Sequence, residues 1–401
     1  MIRTITYSSF FPNVSRPLHG IAVAERLRHL LASGRVRTRV IAPVPWFPFE
    51  SRLFSRYAQF ARVPATEVWQ GEPVLHPRYV VIPKIGTSVA PALMALSTAR
   101  IVSRVDRECG GVDVIDAQGL YPDGVAGVIL GRLLNRPVVI TARGSDVNVN
   151  RHYAIPRRWI LWAVKNSAAT ITVSGALKQA LVEIGADPDH ITVLRNGVDL
   201  ERFRVLDREV IRQRLGLSGT VLLSVGNLLE LKGHHLAIEA LRRLNDVTLL
   251  IAGDGPMKSE LQALVRNLQL EARVRFLGPV PNDDLAEYYN AADALVLASS
   301  REGMANVLLE SLACGTPCIT TAVGGSPEII AAPEAGILMR ERSVDALVEA
   351  AQELFARRPE RAATRRYAER LGWGPTTEGQ IEIFTRASRR TPASQERRVL
   401  T

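Results

Sequence analysis

The residues best suited to chemistry fall in Ser299-Ser-Arg-Glu302-Gly303-Met304-Ala305-Asn306-Val307-Leu-Leu309-Glu310, which follows the apolar run Ala294-Leu-Val-Leu-Ala and opens a helical pattern. A strand that passes through a glycine loop into a helix leaves backbone N–H groups near Gly303 to Asn306 without intrahelical partners. The positive end of the helix dipole lies beside them, which makes a cradle for phosphate. If the spacing were helical throughout, Glu302 and Glu310 would stand about 12 Å apart along the axis. That separation suits the two ends of one extended ligand better than a shared metal or proton. The competing reading caps the helix with Glu302 and leaves Glu310 on the surface.

A cation for the same ligand comes from Gly226-Asn227-Leu-Leu-Glu-Leu-Lys232-Gly233, a strand end, a loop and a helix predicted to begin near His234. A lysine on such a loop, next to a glycine, can neutralise a diphosphate. The spacing is not Walker A, and GxxxxGK[ST] occurs nowhere in the chain. Gly253-Asp254-Gly-Pro256 has Lys258 where a dinucleotide loop needs glycine, so it reads as a strand-to-helix turn. Asp187-Pro-Asp189 likewise reads as a turn and not as a metal-binding carboxylate pair. The histidines form no HxxxH or His-Cys cluster and no GxSxG elbow is present, which excludes zincin and serine-hydrolase chemistry.

These residues need a scaffold, and short apolar, β-rich runs alternating with helical patterns supply one. Met1-Ile-Arg-Thr-Ile-Thr-Tyr, Thr38-Arg-Val-Ile-Ala, Val112-Asp-Val-Ile-Asp, Pro137-Val-Val-Ile-Thr, Ala169-Thr-Ile-Thr-Val and Ile191-Thr-Val-Leu are predicted strands of the first half. Val221-Leu-Leu-Ser-Val, Val247-Thr-Leu-Leu-Ile-Ala, Val274-Arg-Phe-Leu, the run at Ala294 and Cys318-Ile-Thr-Thr are those of the second. Two α/β domains in tandem follow. The seam is placed near Arg204, giving domains 1–204 and 205–373, then a helix over 374–386 that returns to the first domain and a disordered tail over 387–401. The first helix starts near His19 or Gly20, with Ile21, Val23, Ala24, Leu27, Leu30 and Leu31 on its apolar face and Glu25, Arg26 and Arg28 on its polar face.

Composition narrows the setting. The chain has 401 residues, 47% hydrophobic and 22% charged, which suits an ordinary multidomain globular protein. Lys plus Arg number 50 against 40 acids, and the net charge of +10 favours anionic partners. Three cysteines, Cys109, Cys314 and Cys318, make no disulfide framework, and the N-terminus lacks a secretory apolar core. The apolar stretches are too short to span a membrane. A cytoplasmic protein is expected, with any membrane contact peripheral. The aromatic and basic run Pro45-Trp-Phe-Pro-Phe49, Arg52, Phe54, Arg56, Tyr57, Phe60 and Arg62 suits an acceptor or membrane-interface surface or a partly packed loop.

Taken together the chain resembles family 4 glycosyltransferases of the GT-B fold, α/β proteins with two Rossmann-like domains facing each other across a cleft. The most specific piece is Glu-x7-Glu, Glu302 to Glu310, with Leu309 before the second acid. In order along the chain, Asn196-Gly-Val-Asp199 with Phe203, Lys232-Gly233, Ala252-Gly-Asp-Gly-Pro256, Phe276-Leu-Gly278, Ala313-Cys-Gly-Thr-Pro317 and Val323-Gly-Gly-Ser-Pro-Glu328 support it.

The resemblance implies a retaining transferase that moves a sugar from a UDP- or GDP-linked donor to a glycan or lipid-linked acceptor, in cell-surface or exopolysaccharide biosynthesis. It assigns Lys232 to the donor diphosphate, Glu302 to the hydroxyls of the transferred sugar and Glu310 to the ribose. Gly226 and Asn227, with the backbone of Gly303, Met304, Ala305, Asn306 and Val307, complete the donor site, and Gly20 lets the first long helix approach the diphosphate. Thr141-Ala-Arg143-Gly-Ser-Asp146 matches a segment that commonly reads Thr-x-His-Gly-x-Asp, so Arg143 becomes a sugar or phosphate contact, with Asp146 beside it as catalytic residue or helix cap. Asn227 stands where relatives often carry arginine, and Gln118 where many carry histidine. No metal and no separate cofactor is expected. The expected partners are the nucleotide-sugar donor and the acceptor, with peripheral contact to an anionic membrane and no nucleic acid. The alternatives are a nucleotide-sugar 2-epimerase of the same fold and a non-catalytic basic protein binding membranes or nucleic acid.

Overall fold

The structure, a computed structural model, describes residues 1–46, 59–81 and 86–390. The chain divides into two compact units, one of residues 1–196 together with the helix Gly374–Arg390, the other Gly197–Trp373.

In the first unit β1 (Ile2–Tyr7), β2 (Val36–Ile41), β4 (Thr66–Trp69), β5 (Glu72–Leu75), β7 (Val114–Gln118), β8 (Val138–Ala142), β9 (Ala169–Thr172) and β10 (Ile191–Val193) form one sheet in the order β10-β9-β8-β7-β1-β2-β5-β4. A two-residue pair, β3 (Val44–Pro45) and β6 (Arg78–Tyr79), lies outside it. All neighbours in the large sheet are parallel except β4 and β5. Every residue of β7 and β8 is buried, as expected for strands covered on both faces. The β4–β5 hairpin was not anticipated from the sequence. Its turn is Gln70-Gly71, both at positive φ (48° and 83°), which matches the right-handed twist of the strands it joins.

The helix Ile21–Ala32 begins after Gly20, whose φ of 73° disfavours a side chain and where a Cβ would stand 2.4 Å from the Phe10 carbonyl. Val23, Ala24, Leu27 and Leu30 are buried as expected, but so is Arg26, which the helical pattern assigned to the polar face. The cause is distant in sequence. The helix Gly374–Arg390 packs on this helix, and Arg26 Nε donates to Gln380 Oε1 at 2.7 Å while its Nη1 donates to the Leu194 carbonyl at 3.2 Å.

That last helix adds Ile381, Ile383 and Phe384 to the core of the first unit. It also runs beyond 386: Ala387, assigned to the tail, is buried in the same core. Residues 391–401, where the rest of that tail falls, lie outside the described residues, as do 47–58, which hold most of the aromatic and basic run.

The units part between Asn196 and Gly197 and not near Arg204. Residues 197–206 are held by the second unit: Phe203 meets the Tyr289 ring edge-on at 5.9 Å, and Asn290 Nδ2 donates to the Arg204 carbonyl at 2.9 Å. The sheet of this unit comprises β11 (Thr220–Val225), β12 (Val247–Ala252), β13 (Val274–Gly278), β14 (Ala294–Leu297), β15 (Cys318–Thr321) and β16 (Gly336–Met339). Its order is β13-β12-β11-β14-β15-β16, parallel throughout. Leu222, Leu249, Ile251, Val296 and Ile319 lie in its core, each worth about 1.5–3 kcal/mol of burial.

Both sheets reverse their winding direction once, between β1 and β7 and between β11 and β14. In open α/β sheets ligands bind outside the carboxyl ends of the strands at such a reversal. Among the described residues no helix is long and apolar enough to cross a membrane.

Candidate functional site

In the second unit the chain leaves β11 through residues 226–233 and β14 through residues 299–305, the two segments flanking the reversal. The first is braced by the turn after β12. Gly226 N–H donates to the Ala252 carbonyl at 2.9 Å, Leu228 N–H to that of Asp254 at 3.0 Å, and Met257 N–H to that of Leu228 at 3.1 Å. Residues 253–256 therefore act as the strand-to-helix turn the sequence predicted, leading into the helix Lys258–Asn267.

A single 3-10 turn, Glu230–Lys232, follows, and Gly233 caps the helix His234–Ala240. A Cβ on Gly233 would stand 2.1 Å from the Ala298 carbonyl oxygen, so the two segments touch backbone to backbone. Ser300 N–H completes the join by donating to the Leu231 carbonyl at 2.8 Å.

This contact brings Lys232 and Glu302 together. Lys232 Nζ donates to Glu302 Oε1 at 2.6 Å, and Ser299 Oγ donates to the same oxygen at 2.7 Å. The two side chains are 20% and 10% exposed, partly withdrawn from water but still reachable. An ammonium has three donors, so pairing with Glu302 does not exhaust it.

Glu302 sits in a loop and not in a helix. The helix spans Asn306–Ala313 with Ala305 at its cap position, so neither the helical separation of the two glutamates nor the capping role of Glu302 holds. The loop is set from below by the turn after β15. Gly325 N–H donates to the Gly303 carbonyl at 2.9 Å, and Thr321 Oγ1 donates to that of Ser299 at 2.5 Å. Gly324, at φ 55°, lies so close that a Cβ would meet the Glu302 carbonyl oxygen at 2.2 Å.

Gly303, Met304 and Ala305 are buried, and the half-buried Asn306 and Val307 form the positive end of the helix. Glu310 lies one turn beyond Asn306 on the same face. Its Oε2 accepts a 2.7 Å bond from the hydroxyl of Tyr289, a residue without an obvious sequence signal. Burial, with the Glu310 carboxylate beside it, drives that hydroxyl's pKa well above the usual value, so Tyr289 stays a donor.

Asn227 is exposed, and its carbonyl accepts from Leu229 N–H at 2.8 Å. His234 Nε2 lies 3.3 Å from the same carbonyl and Nδ1 lies 2.8 Å from Ser224 Oγ. Burial pushes the His234 imidazole down to about 4, so the ring is neutral at pH 7, donating through Nε2 and accepting through Nδ1.

The first unit holds the remaining expected residues. Gly20 lies at the start of its first helix. Arg143 follows β8, and its guanidinium is drawn inward: Nη2 donates to Gln118 Oε1 and Nη1 to the Ala22 carbonyl at 3.3 Å. Gln118 Nε2, at the end of β7, in turn donates to both Asp116 oxygens at 2.7 Å. Burial raises Asp116 to about 6 and lowers Arg26 to about 9 and Arg143 to about 10.

Asp146 accepts from Leu120 N–H at 2.6 Å, Gly144 N–H at 2.6 Å and Arg143 N–H at 3.1 Å, and so builds the loops after β7 and β8. Asp123, not singled out from the sequence, accepts from Ser9 Oγ at 2.9 Å, and burial raises it to about 7. Asp187, the first acid of Asp187-Pro-Asp189, accepts from Asp189 N–H at 2.9 Å, an ordinary turn.

The chain is similar to known proteins over most of its length. Residues 22–202 match the family model described as Glycosyltransferase Family 4, and residues 207–371 that of Glycosyl transferases group 1. A putative teichuronic acid biosynthesis glycosyltransferase of Bacillus subtilis is 30% identical over 87% of this chain and 88% of its own length. A D-inositol 3-phosphate glycosyltransferase of Geodermatophilus obscurus is 28% identical over 86% of this chain and 83% of its own. Among solved structures, Anabaena Alr3699/HepE in complex with UDP and glucose is similar at a TM-score of 0.72 and 18% identity, covering 96% of this chain and 99% of its own.

Proposed function

The chain belongs to glycosyltransferase family 4, and on that premise we propose that it moves a sugar with retention of configuration from a UDP- or GDP-linked donor to a lipid-linked or polysaccharide acceptor. It is a glycosyltransferase of GT-B type, built from two Rossmann-like domains. The observation that carries the finer reading is the 2.6 Å Lys232–Glu302 pair at the carboxyl ends of β11 and β14. A cation and a carboxylate at a sheet reversal, beside the positive end of the helix Asn306–Ala313, match a diphosphate with a sugar on one side.

In this reading Lys232 neutralises the diphosphate, and the backbone of Gly303, Met304, Ala305, Asn306 and Val307 holds phosphate and sugar. Glu302 binds the hydroxyls of the sugar, and Glu310, aimed by Tyr289, binds the ribose. The bond from the sugar's anomeric carbon to the β-phosphate oxygen breaks while the bond to the acceptor oxygen forms on the same face. The departing phosphate oxygen takes the acceptor's proton. Catalysis then rests on positioned charge around a developing diphosphate and an oxocarbenium-like sugar, with no protein nucleophile. The contacts of Glu302 favour an orienting role over that of a glycosidase carboxylate, since one oxygen already accepts from both Lys232 and Ser299.

The UDP and glucose of the Anabaena structure support a nucleotide-sugar donor, and the teichuronic acid biosynthesis named for the Bacillus relative supports a polysaccharide acceptor; in this reading the transfer takes place at the cytoplasmic face of the membrane. A panel of UDP- and GDP-sugars, read by hydrolysis and transfer, tests the proposal. One donor is expected to turn over, with activity falling in Lys232→Ala and Glu310→Ala. Turnover of every donor at background rate, or full activity in both variants, would overturn it, and interconversion of free nucleotide sugar without acceptor would indicate an epimerase.

A further inference from the structure

On the second unit, at the opposite end of the strands from Lys232 and Glu302, a cavity of about 630 Å³ opens beneath their amino ends. Its walls include Gly219 and Thr220 at the start of β11, Asp293 just before β14 and Pro317 just before β15. The six residues of β11 separate it from the Lys232 loop by about 20 Å. A volume of this size is in the range of small-molecule sites.

The lining is cationic. Arg208, Arg212, Arg358 and Arg361 face it, against Asp293 and Glu209. Asp293 is already committed: it accepts from Arg208 Nη2, from Arg212 Nη1 at 3.3 Å and from Val221 N–H at 2.8 Å. Glu209 is exposed. Arg361 donates to the Ala292 and Cys314 carbonyls at 3.1 and 2.9 Å, neutral acceptors that do not balance its charge. Arg208 Nε is buried and has no hydrogen-bond partner among the described residues.

The placement of these cations costs stability. Arg208 and Arg361 are the first residues of the helices Arg208–Leu215 and Arg361–Glu369, at dipole ends that disfavour positive charge. Burial, with Arg208 and Arg212 nearby, pushes Arg361 down to about 10. A dianion in the cavity would relieve this repulsion, and guanidinium forks match phosphate oxygens.

We propose that this cavity is a second anion site, separate from the donor site, which binds a phosphorylated small molecule through Arg208, Arg358 and Arg361. Inorganic pyrophosphate is the probe, titrated calorimetrically into the full-length protein and into Lys232→Ala, which removes the ammonium of the donor site. Saturable binding is expected to survive in Lys232→Ala and to weaken at least tenfold in Arg208→Gln/Arg358→Gln made in that background. Arg358→Gln alone changes an exposed side chain whose Nε bonds the Phe355 carbonyl, so it keeps the test valid should the double variant unfold, and it is expected to weaken binding severalfold. Arg266→Gln, on the helix Lys258–Asn267, serves as the control and is expected to bind normally. Absence of saturable binding in Lys232→Ala, or undiminished binding in folded Arg358→Gln, overturns the proposal.

Discussion

The Tyr289 hydroxyl, on a fully buried ring, donates a 2.7 Å hydrogen bond to Glu310 Oε2, so the second acid of the Glu-x7-Glu pair is aimed from the neighbouring helix. A bond to a charged acceptor is worth about 1.5–3 kcal/mol. Tyr289→Phe keeps the ring packing and removes only that bond. The variant is expected to raise the donor KM roughly tenfold with kcat little changed, and to discriminate less between a ribonucleoside diphosphate and its 2′-deoxy form. Unchanged discrimination in the variant would show that the bond does not position Glu310 for the ribose.

Gly233 joins the Lys232 segment to the end of β14, and its φ of 72° and the 2.1 Å at which a Cβ would meet the Ala298 carbonyl oxygen exclude a side chain. Gly233→Ala must either strain the backbone or part the two segments. A loss of about 2 kcal/mol or more is expected, seen as a lower urea midpoint for the second unit, with a larger proportional loss of activity because Lys232 moves away from Glu302. An unshifted midpoint would contradict the close approach.

The buried imidazole of His234 makes stability depend on pH. Its pKa falls from 6.5 unfolded to about 4 folded, so between those values the unfolded chain binds more protons and stability rises with pH. The contribution is complete above about pH 6.5 and is lost as pH falls toward 4, about 3 kcal/mol over the window. Denaturant titrations at pH 4.5 and 7 should show a smaller difference in His234→Gln than in the parent. The carboxyls of Asp116 and Asp123, raised by burial to about 6 and about 7, act in the opposite sense, but they lie in the first unit and are common to both proteins.

Strands were legible in the sequence wherever burial on both faces forces a continuous apolar run, as in β8 and β12. The edge strand β4 was not, because its half-exposed residues carry no such run. Lys232 and Glu302 could be marked from local spacing, yet nothing local shows that their loops meet. That contact depends on Gly233 fitting against Ala298 and on Gly324 fitting under Glu302. Tyr289 and Arg26 were missed or misplaced because their partners come from other elements. Tyr289 sits on the helix Asn282–Ala291 and reaches Glu310 on the next one. Arg26 looks like a solvent residue until the helix Gly374–Arg390 covers it.

The central claim is that Lys232 holds the donor diphosphate while Glu302 holds its sugar, and calorimetric binding of UDP and GDP to the parent, Lys232→Ala and Glu302→Gln tests it most directly. Lys232→Ala should weaken the preferred nucleoside diphosphate at least tenfold, whereas Glu302→Gln should bind it within about twofold of the parent and yet lose roughly 10²- to 10³-fold in transfer. Parental nucleotide affinity in Lys232→Ala, or a covalent sugar trapped on Glu302, would contradict the account.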